Sequence, residues 1–468
     1  MTDELITISP IDGREVVRRA YASDAQIAQA LANAQGAQPE WHALGITARG
    51  RIVEAAVAHF VAAKDEIARA ITIQMGRPLR HAPGEVDGFA ARARHMIGIA
   101  ETALAPIAAP AQAGFTRFIS REPIGVALTI APWNYPLLTA VNSIVPALMA
   151  GNTVILKHSD QTPLCAELLD RAFRDAEAPR GVFQYLHASH DITQRLIRAP
   201  EIGHVSFTGS VRGGRVVEES AAGRFIGVGL ELGGNDPAYV REDADLDAAA
   251  ESLVDGAFFN AGQSCCGIQR IYVARGVHDA FVERAVALTH RYVLGNPLQP
   301  DTTLGPVVRA RAAAEILGVI EQAVSSGAVN LIDHSHFKNA SEGSSMSKSS
   351  CYVAPALLTQ VDHRMRIMSD ECFGPVVGIM PVDSDDQAIA LMNDSPYGLT
   401  AAAYTQDEAA ALRIGRQLRT GTFFMNRCDY LDPALAWTGV KQSGRGVSLS
   451  AVGYEQLTQP KSFHLRSL

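Results

Sequence analysis

The chain has 468 residues, 47% hydrophobic and 19% charged, which excludes a disordered or collagen-like polypeptide. At roughly 150 residues per domain it has room for about three. Lys and Arg total 41 against 49 Asp and Glu, a formal charge of −8, which argues against a general binder of nucleic acid or anionic membranes. The six cysteines, at 165, 265, 266, 351, 372 and 428, are irregularly spaced and include no C-x-x-C pair. Neither a zinc ribbon nor a disulfide framework is expected, and the reading is a cytoplasmic protein without a bound metal. The first residues carry no basic and apolar leader pattern, and no apolar run approaches the ~20 residues of a membrane span.

Residues 23–100 read as helical. Ser23 and Asp24 can cap a helix whose apolar positions Ile27, Ala30, Leu31 and Ala34 share one face. Ile52, Val53, Ala56, Val57 and Phe60 form a second such stripe. A strand is expected at 116–120. After Pro123 the pattern changes to short apolar runs at 126–130, 153–156, 183–186, 204–207 and 225–230. Helical stretches at 137–150, 162–176, 189–198 and 211–222 lie among them. This alternation predicts a parallel sheet covered on both faces, with ligands at the carboxyl ends of its strands.

A looser alternation follows over 268–426, with strands expected at 271–274, 329–332, 376–380, 401–404 and 422–426. Helices are expected at 279–291, 309–326, 386–393 and 407–418. The Ser-rich stretch 333–350 reads as an exposed loop or insertion. Residues 457–468 read as extended, and this segment, like 116–120, needs a backbone partner, for which a second subunit is the usual source.

Several short motifs carry residues suited to chemistry. Phe259-Asn260-Ala261-Gly262-Gln263-Ser264-Cys265-Cys266 offers a nucleophilic sulfur beside a glycine, although two adjacent cysteines alone also read as buried apolar residues. Glu231-Leu232-Gly233-Gly234 puts a carboxylate at a strand end, where it is either a general base or a solvated turn residue. In Pro132-Trp133-Asn134-Tyr135-Pro136 the Asn134 amide can donate to an oxyanion or to the turn itself. Phe207-Thr208-Gly209-Ser210 opens a helix whose first N–H groups can hold phosphate, but it is not the G-x-G-x-x-G fingerprint. Leu156-Lys157-His158-Ser159-Asp160 ends another strand with an acid suited to ribose hydroxyls. The histidines show no H-E-x-x-H spacing.

Taken together, these motifs and their order closely resemble the aldehyde dehydrogenase superfamily, over about residues 6–464. PWNYP at 132–136, FTGS at 207–210, ELGGNDP at 231–237, FNAGQSC at 259–265 and ECFGPV at 371–376 carry the resemblance. It implies an α/β fold with a Rossmann-like cofactor domain (1–104 and 124–233), a second α/β catalytic domain (234–446) and oligomerisation strands (105–123 and 447–468). It implies Cys265 as nucleophile, Asn134 as oxyanion donor and Glu231 as the base that activates water. Trp133, Lys157, Asp160, Gly209, Ser210, Glu371 and Phe373 match cofactor-binding positions, for NAD with NADP as the alternative. Tyr135, Val141, Phe259, Ser264, Cys266 and Trp437 match the substrate tunnel, with Tyr430 and Leu431 at its mouth.

That lining implies an apolar tunnel for an aromatic or medium-chain aldehyde. Arg427, if it binds a carboxylate, implies a succinate-semialdehyde-like substrate instead, although arginines are usually exposed or paired and a surface or structural role is the preferred reading. A CoA-acylating route would leave Glu231 idle. His158 replaces a proline common at this point of the family, and Asp160 replaces a glutamate. The implied assembly is a homodimer or homotetramer, with no nucleic-acid or membrane partner.

Overall fold

The computed structural model describes residues 4–340 and 351–467. The expected helical region is four helices, Asp24–Ala43, Gly45–Ala62, Lys64–Met75 and Ala82–Ala103. Ser23 Oγ accepts from the Gln26 N–H while Gln26 Oε1 accepts from the Ser23 N–H, closing a capping box. Ile27, Ala30, Leu31 and Ala34 are buried, as are Val53, Ala56, Val57 and Phe60 on the next helix. Ahead of them, Glu4–Ile8 and Glu15–Ala20 form an antiparallel hairpin that the sequence reading missed. Its buried face is small, and its remaining positions are mostly charged or exposed.

A six-stranded sheet runs in the order Gly444–Arg445, Gly227–Glu231, Ile202–Thr208, Val126–Ile130, Thr153–Lys157, Phe183–Tyr185. The last five are parallel, as the alternation predicts. Val126–Ile130 and Thr153–Lys157 are buried at every position, because helices cover both faces. The chain leaves Val126–Ile130 first toward one edge and later returns to its other side with Ile202–Thr208. That reversal opens a crevice beyond Ile130 and Thr208, where a ligand can reach loop backbone. The sixth strand, Gly444–Arg445, is antiparallel and comes from near the end of the chain.

A second sheet has seven strands, in the order Val329–Asn330, Ala356–Thr359, Val376–Val382, Ile268–Ala274, Asp236–Val240, Thr400–Tyr404, Thr422–Met425. Asp236–Val240 and Ala356–Thr359 were not predicted. Asp236–Val240 is a central strand that contains Pro237, a residue that normally argues against such a place. The register shifts between Asp236 and Pro237, so the proline sits at an irregularity. The helix Leu246–Phe258 was also missed, since much of its buried face is alanine.

Phe115–Pro123 and Thr458–Arg466 pair antiparallel along nine residues, and Ile107–Ala108 adds a short third strand. The two extended segments therefore satisfy one side of each other within the chain. The Phe118 and Phe463 rings stack at 4.6 Å. Thr458–Arg466 is an edge of this sheet, its outer side unpaired by any strand among the described residues. Of the Ser-rich stretch, His334–Ala340 forms 3-10 turns, and 341–350 lie outside the described residues.

Candidate active site

The helix Leu246–Phe258 aims the chain at the Cys265 loop. Asn260, Ala261 and Gly262 then take three consecutive positive φ values, 55°, 56° and 68°. Such backbone is unfavourable for residues with a β-carbon, so neighbours must hold it. Arg77 Nε donates to Asn260 Oδ1 at 3.1 Å, and the Val308 N–H donates to Gln263 Oε1 at 2.8 Å. A β-carbon on Gly262 would collide with the Gly374 carbonyl. The FNAGQSC and ECFGPV motifs are thus pressed together.

The two glycines after Glu231 have separate reasons. A β-carbon on Gly233 would collide with the Glu371 carboxylate, and one on Gly234 with the Cys265 carbonyl oxygen. The Gly234 N–H donates to Glu371 Oε1 at 3.1 Å. Burial pushes the Glu371 carboxyl up to about 7.

Asn134 is buried, and its Nδ2 donates to the Gln263 carbonyl at 3.1 Å, two residues ahead of the sulfur. An amide donor held there can turn to charge developing beside Cys265. Arg77 Nη2 donates to the Asn134 carbonyl at 2.5 Å, and its guanidinium lies 4.5 Å from the Tyr135 ring centre. Arg77 also pairs with Glu85, both side chains being at most 2% exposed. Glu85 Oε1 accepts from the Leu137 and Leu138 N–H groups. The sequence reading passed over this buried pair. Its one signal was a glutamate among the apolar residues of a helical stretch.

Glu231 ends the strand Gly227–Glu231 and accepts from the Ser448 hydroxyl and, at 3.2 Å, from Thr208 Oγ1. Burial raises its pKa above the ordinary carboxylate value, against the pull of those hydrogen bonds and of Arg92. A carboxyl held in this way can take up a proton more readily than an exposed one.

Two cavities meet at Cys265. The first, about 530 Å³, is lined by Trp133, Asn134, Gly209, Ser210, Glu231, Cys265, Glu371 and Phe373. Trp133 meets Phe373 edge to face at 5.7 Å. Ser210 caps the helix Val211–Ala221, its Oγ accepting from the Gly213 N–H at 3.2 Å. Lys157 and Asp160 are not among this lining. They pair at 3.1 Å, and the Tyr21 hydroxyl donates to Asp160 at 2.9 Å. His158 ties their turn to the PWNYP loop, with Nε2 donating to the Pro136 carbonyl at 2.9 Å and Nδ1 accepting from the Ser159 N–H. Burial lowers its pKa to about 4, so the ring is neutral at pH 7.

The second cavity, about 430 Å³, is lined by Tyr135, Phe259, Ser264, Cys266 and Trp437, with Tyr430 and Leu431. Cys265, Glu231 and Thr139 face both cavities. Cys266 faces only the second. The adjacent Cys265 thiol and burial push its own thiol well above the ordinary range.

Two expectations need correction, and Arg427 takes the surface position expected of it. Val141 lines neither cavity and packs into the core at 1% exposure. Leu138 and Asn142, one helical turn apart, face the cavity instead. Arg427 is exposed and stacks with its guanidinium 3.3 Å from the Tyr430 ring centre, outside the cavity lining. Nor is the cavity wholly apolar, because it includes Arg92, Asp255 and Asp429.

Two α/β sheets thus flank a cysteine that faces two cavities, an arrangement able to bring two ligands to one sulfur. Residues 2–463 match the aldehyde dehydrogenase family. The chain is 35% identical to the 3,6-anhydro-alpha-L-galactose dehydrogenase of Streptomyces coelicolor, covering 99% of this chain and 93% of that one. It is 34% identical to an NADP(+) succinate-semialdehyde dehydrogenase of Deinococcus radiodurans, with 97% and 93% coverage. The solved structure of PnpE in complex with nicotinamide adenine dinucleotide superposes with a TM-score of 0.93 at 30% identity, covering 99% of this chain and 94% of that one. The chain belongs to the aldehyde dehydrogenase family, whose enzymes oxidise aldehydes with NAD(P). Among the described residues no helix is long and apolar enough to cross a membrane.

Proposed function

We propose that this enzyme converts an aromatic or medium-chain aldehyde to the carboxylic acid, using NAD in preference to NADP and a thioester on Cys265. The observation that carries the reading is the shared position of Cys265 and Glu231 where the two cavities meet. In the first step the Cys265 sulfur adds to the aldehyde carbon. The resulting oxyanion takes hydrogen bonds from Asn134 Nδ2 and the Cys265 N–H. Losing one such donor typically costs about 3–4 kcal/mol in the transition state. When bound, the nicotinamide supplies the acceptor for the hydride that leaves the thiohemiacetal carbon. Glu231 then takes a proton from water as its oxygen adds to the thioester. The carbon–sulfur bond breaks, the carboxylate departs, and the thiolate is restored.

The first cavity fits a dinucleotide by its donor set. It offers the N-terminus of the Val211–Ala221 helix at Ser210, the Glu371 carboxylate, and the aromatic pair Trp133 and Phe373. Lys157 and Asp160 serve the adenine ribose in this reading, and the Asp160 carboxylate disfavours a 2′-phosphate. On this assignment residues 1–104 and 124–233 carry the cofactor, 234–446 the catalytic loop, and 105–123 and 447–468 the contacts of a homo-oligomer. The open edge of Thr458–Arg466 supports that last role. The free thiols of Cys165, Cys265, Cys266, Cys372 and Cys428 suit a cytoplasmic setting.

Hydrolysis is favoured over transfer to CoA by the buried Glu231, whose raised pKa suits proton abstraction. Arg427, stacked on Tyr430, gives no support to a carboxylated semialdehyde. The test is NADH release over a panel of aldehydes, with and without CoA. The reading expects free acid as product. Acyl-CoA formed at the rate of NADH would replace it with the acylating route.

A further inference from the structure

The second cavity is lined by a cationic and an acidic side chain, Arg92 and Asp429, with no ion pair between them among the described residues. Arg92 enters it from the helix Ala82–Ala103 and is only 9% exposed. Its Nη1 donates to the Leu138 carbonyl at 2.8 Å and to Asn142 Oδ1 at 3.2 Å. Its Nε and Nη2 have no protein partner among the described residues. Asp429 reaches the same cavity from a residue with φ of 46°, a backbone bend that non-glycine residues rarely adopt. Its Oδ1 accepts from Ser264 Oγ and from Cys266 Sγ, each at 2.9 Å, while Oδ2 has no partner among the described residues. These atoms face the open cavity rather than a sealed interior, and a ligand that displaces solvent from them must replace their hydrogen bonds.

The occupant's chemistry follows from what each group lacks. Arg92 can only donate and Asp429, when ionised, can only accept. A substrate carboxylate would suit Arg92 but meet Asp429, with Asp255 in the same lining. A substrate ammonium would suit Asp429 but meet Arg92. A hydroxyl can accept from Arg92 or donate to Asp429, and brings no new charge into the cavity. The pair also lies beside the reacting sulfur. Asp429 grips the residues on either side of Cys265, and the Arg92 charge acts on Glu231, Cys266 and Cys265.

Resting on the dehydrogenase reading above, we propose that Arg92 and Asp429 select an aldehyde with a hydroxyl on the first or second carbon beyond the carbonyl. An unsubstituted aldehyde of the same size displaces solvent without replacing the hydrogen bonds of their open atoms, a type of mismatch against which enzymes discriminate strongly.

The experiment compares kcat/KM, per unhydrated aldehyde, for matched substrates with the full-length enzyme and NAD. Propanal is set against 2-hydroxypropanal, 3-hydroxypropanal, 3-aminopropanal and 3-oxopropanoate, and benzaldehyde against 2-hydroxybenzaldehyde. At least one hydroxylated member is expected to exceed its unsubstituted counterpart by about tenfold or more, and to exceed the amino and carboxylated members. In Arg92→Met and in Asp429→Ala that ratio is expected to fall to about threefold or less, whatever the absolute rate. A purely structural role would depress both substrates equally and preserve the ratio, which overturns the assignment. A wild-type enzyme indifferent to the hydroxyl, or preferring the carboxylated or amino aldehyde, overturns it without any variant and leaves the dehydrogenase reading standing. No NADH from any aldehyde overturns both.

Discussion

Gly234 and Cys265 are packed so closely that a single added methyl group on Gly234 would overlap the Cys265 carbonyl oxygen. The position of the sulfur is therefore set by a glycine in a different motif, one strand away in the same sheet region. Gly234→Ala should fold, since the displacement is local, but with the Cys265 peptide pushed aside. A misplacement of about 1 Å can cost on the order of 10²-fold in rate. We expect kcat to fall by roughly that factor, with the circular dichroism spectrum and cofactor affinity retained. Wild-type kcat in this variant would show that the peptide has more room than the geometry allows.

The two neighbouring cysteines should behave differently. Cys265→Ala is expected to abolish NADH formation while leaving NAD binding measurable by calorimetry. Cys266→Ala should still turn over, because its thiol is held as a donor to Asp429 and faces only one cavity. Loss of turnover in Cys266→Ala together with full activity in Cys265→Ala would reverse the assignment.

Glu231→Gln should give a rapid single turnover of NADH and then stall at the thioester. Its pH behaviour follows from sign. The carboxylate must be ionised to accept a proton from water, and burial raises its pKa above that of an ordinary glutamate. The steady-state rate of the wild type should thus fall on acidification at a higher pH than an exposed carboxylate would give. The size of the first turnover should not follow that acid limb. An unchanged steady-state rate in Glu231→Gln would assign the base elsewhere.

Removing Arg77 should damage both stability and chemistry. Arg77→Leu leaves Glu85 buried without its cation, and breaking such a pair typically costs about 3–5 kcal/mol. Urea unfolding should show that loss. The surviving folded enzyme should have lower kcat, because Asn134 and Asn260 lose donors from the same guanidinium. A midpoint within error of wild type would show that the pair is dispensable.

Asp160→Ser removes a negative charge from the Lys157 and Tyr21 cluster. The ratio of kcat/KM for NADP over NAD should rise by about tenfold or more, since a carboxylate close to a 2′-phosphate repels it. A ratio unchanged from wild type would separate Asp160 from cofactor choice.

Much of this arrangement was readable in the chain. The parallel strands from 126 to 231 announced themselves as apolar runs separated by helical stretches, and their ends carry Asn134, Asp160, Ser210 and Glu231. What escaped depends on distant parts of the sequence meeting. Asp236–Val240 breaks the usual rule by placing Pro237 at a register shift. Gly444–Arg445 joins a sheet whose other strands end more than two hundred residues earlier. Val141 was misread because adjacent helical positions point about 100° apart, so a one-residue shift changes cavity lining into core. Arg92 carries no motif in the sequence, and only the folded chain brings it to the cavity that Asp429 also lines.

The placement of the Cys265 sulfur between two separate hollows has a practical consequence for inhibition. An electrophile could be delivered from the side that admits the aldehyde, leaving the dinucleotide hollow, with features common to many enzymes, untouched. If Arg92 and Asp429 select hydroxylated aldehydes as proposed, a warhead carried on a hydroxylated scaffold would draw its selectivity from the same two side chains.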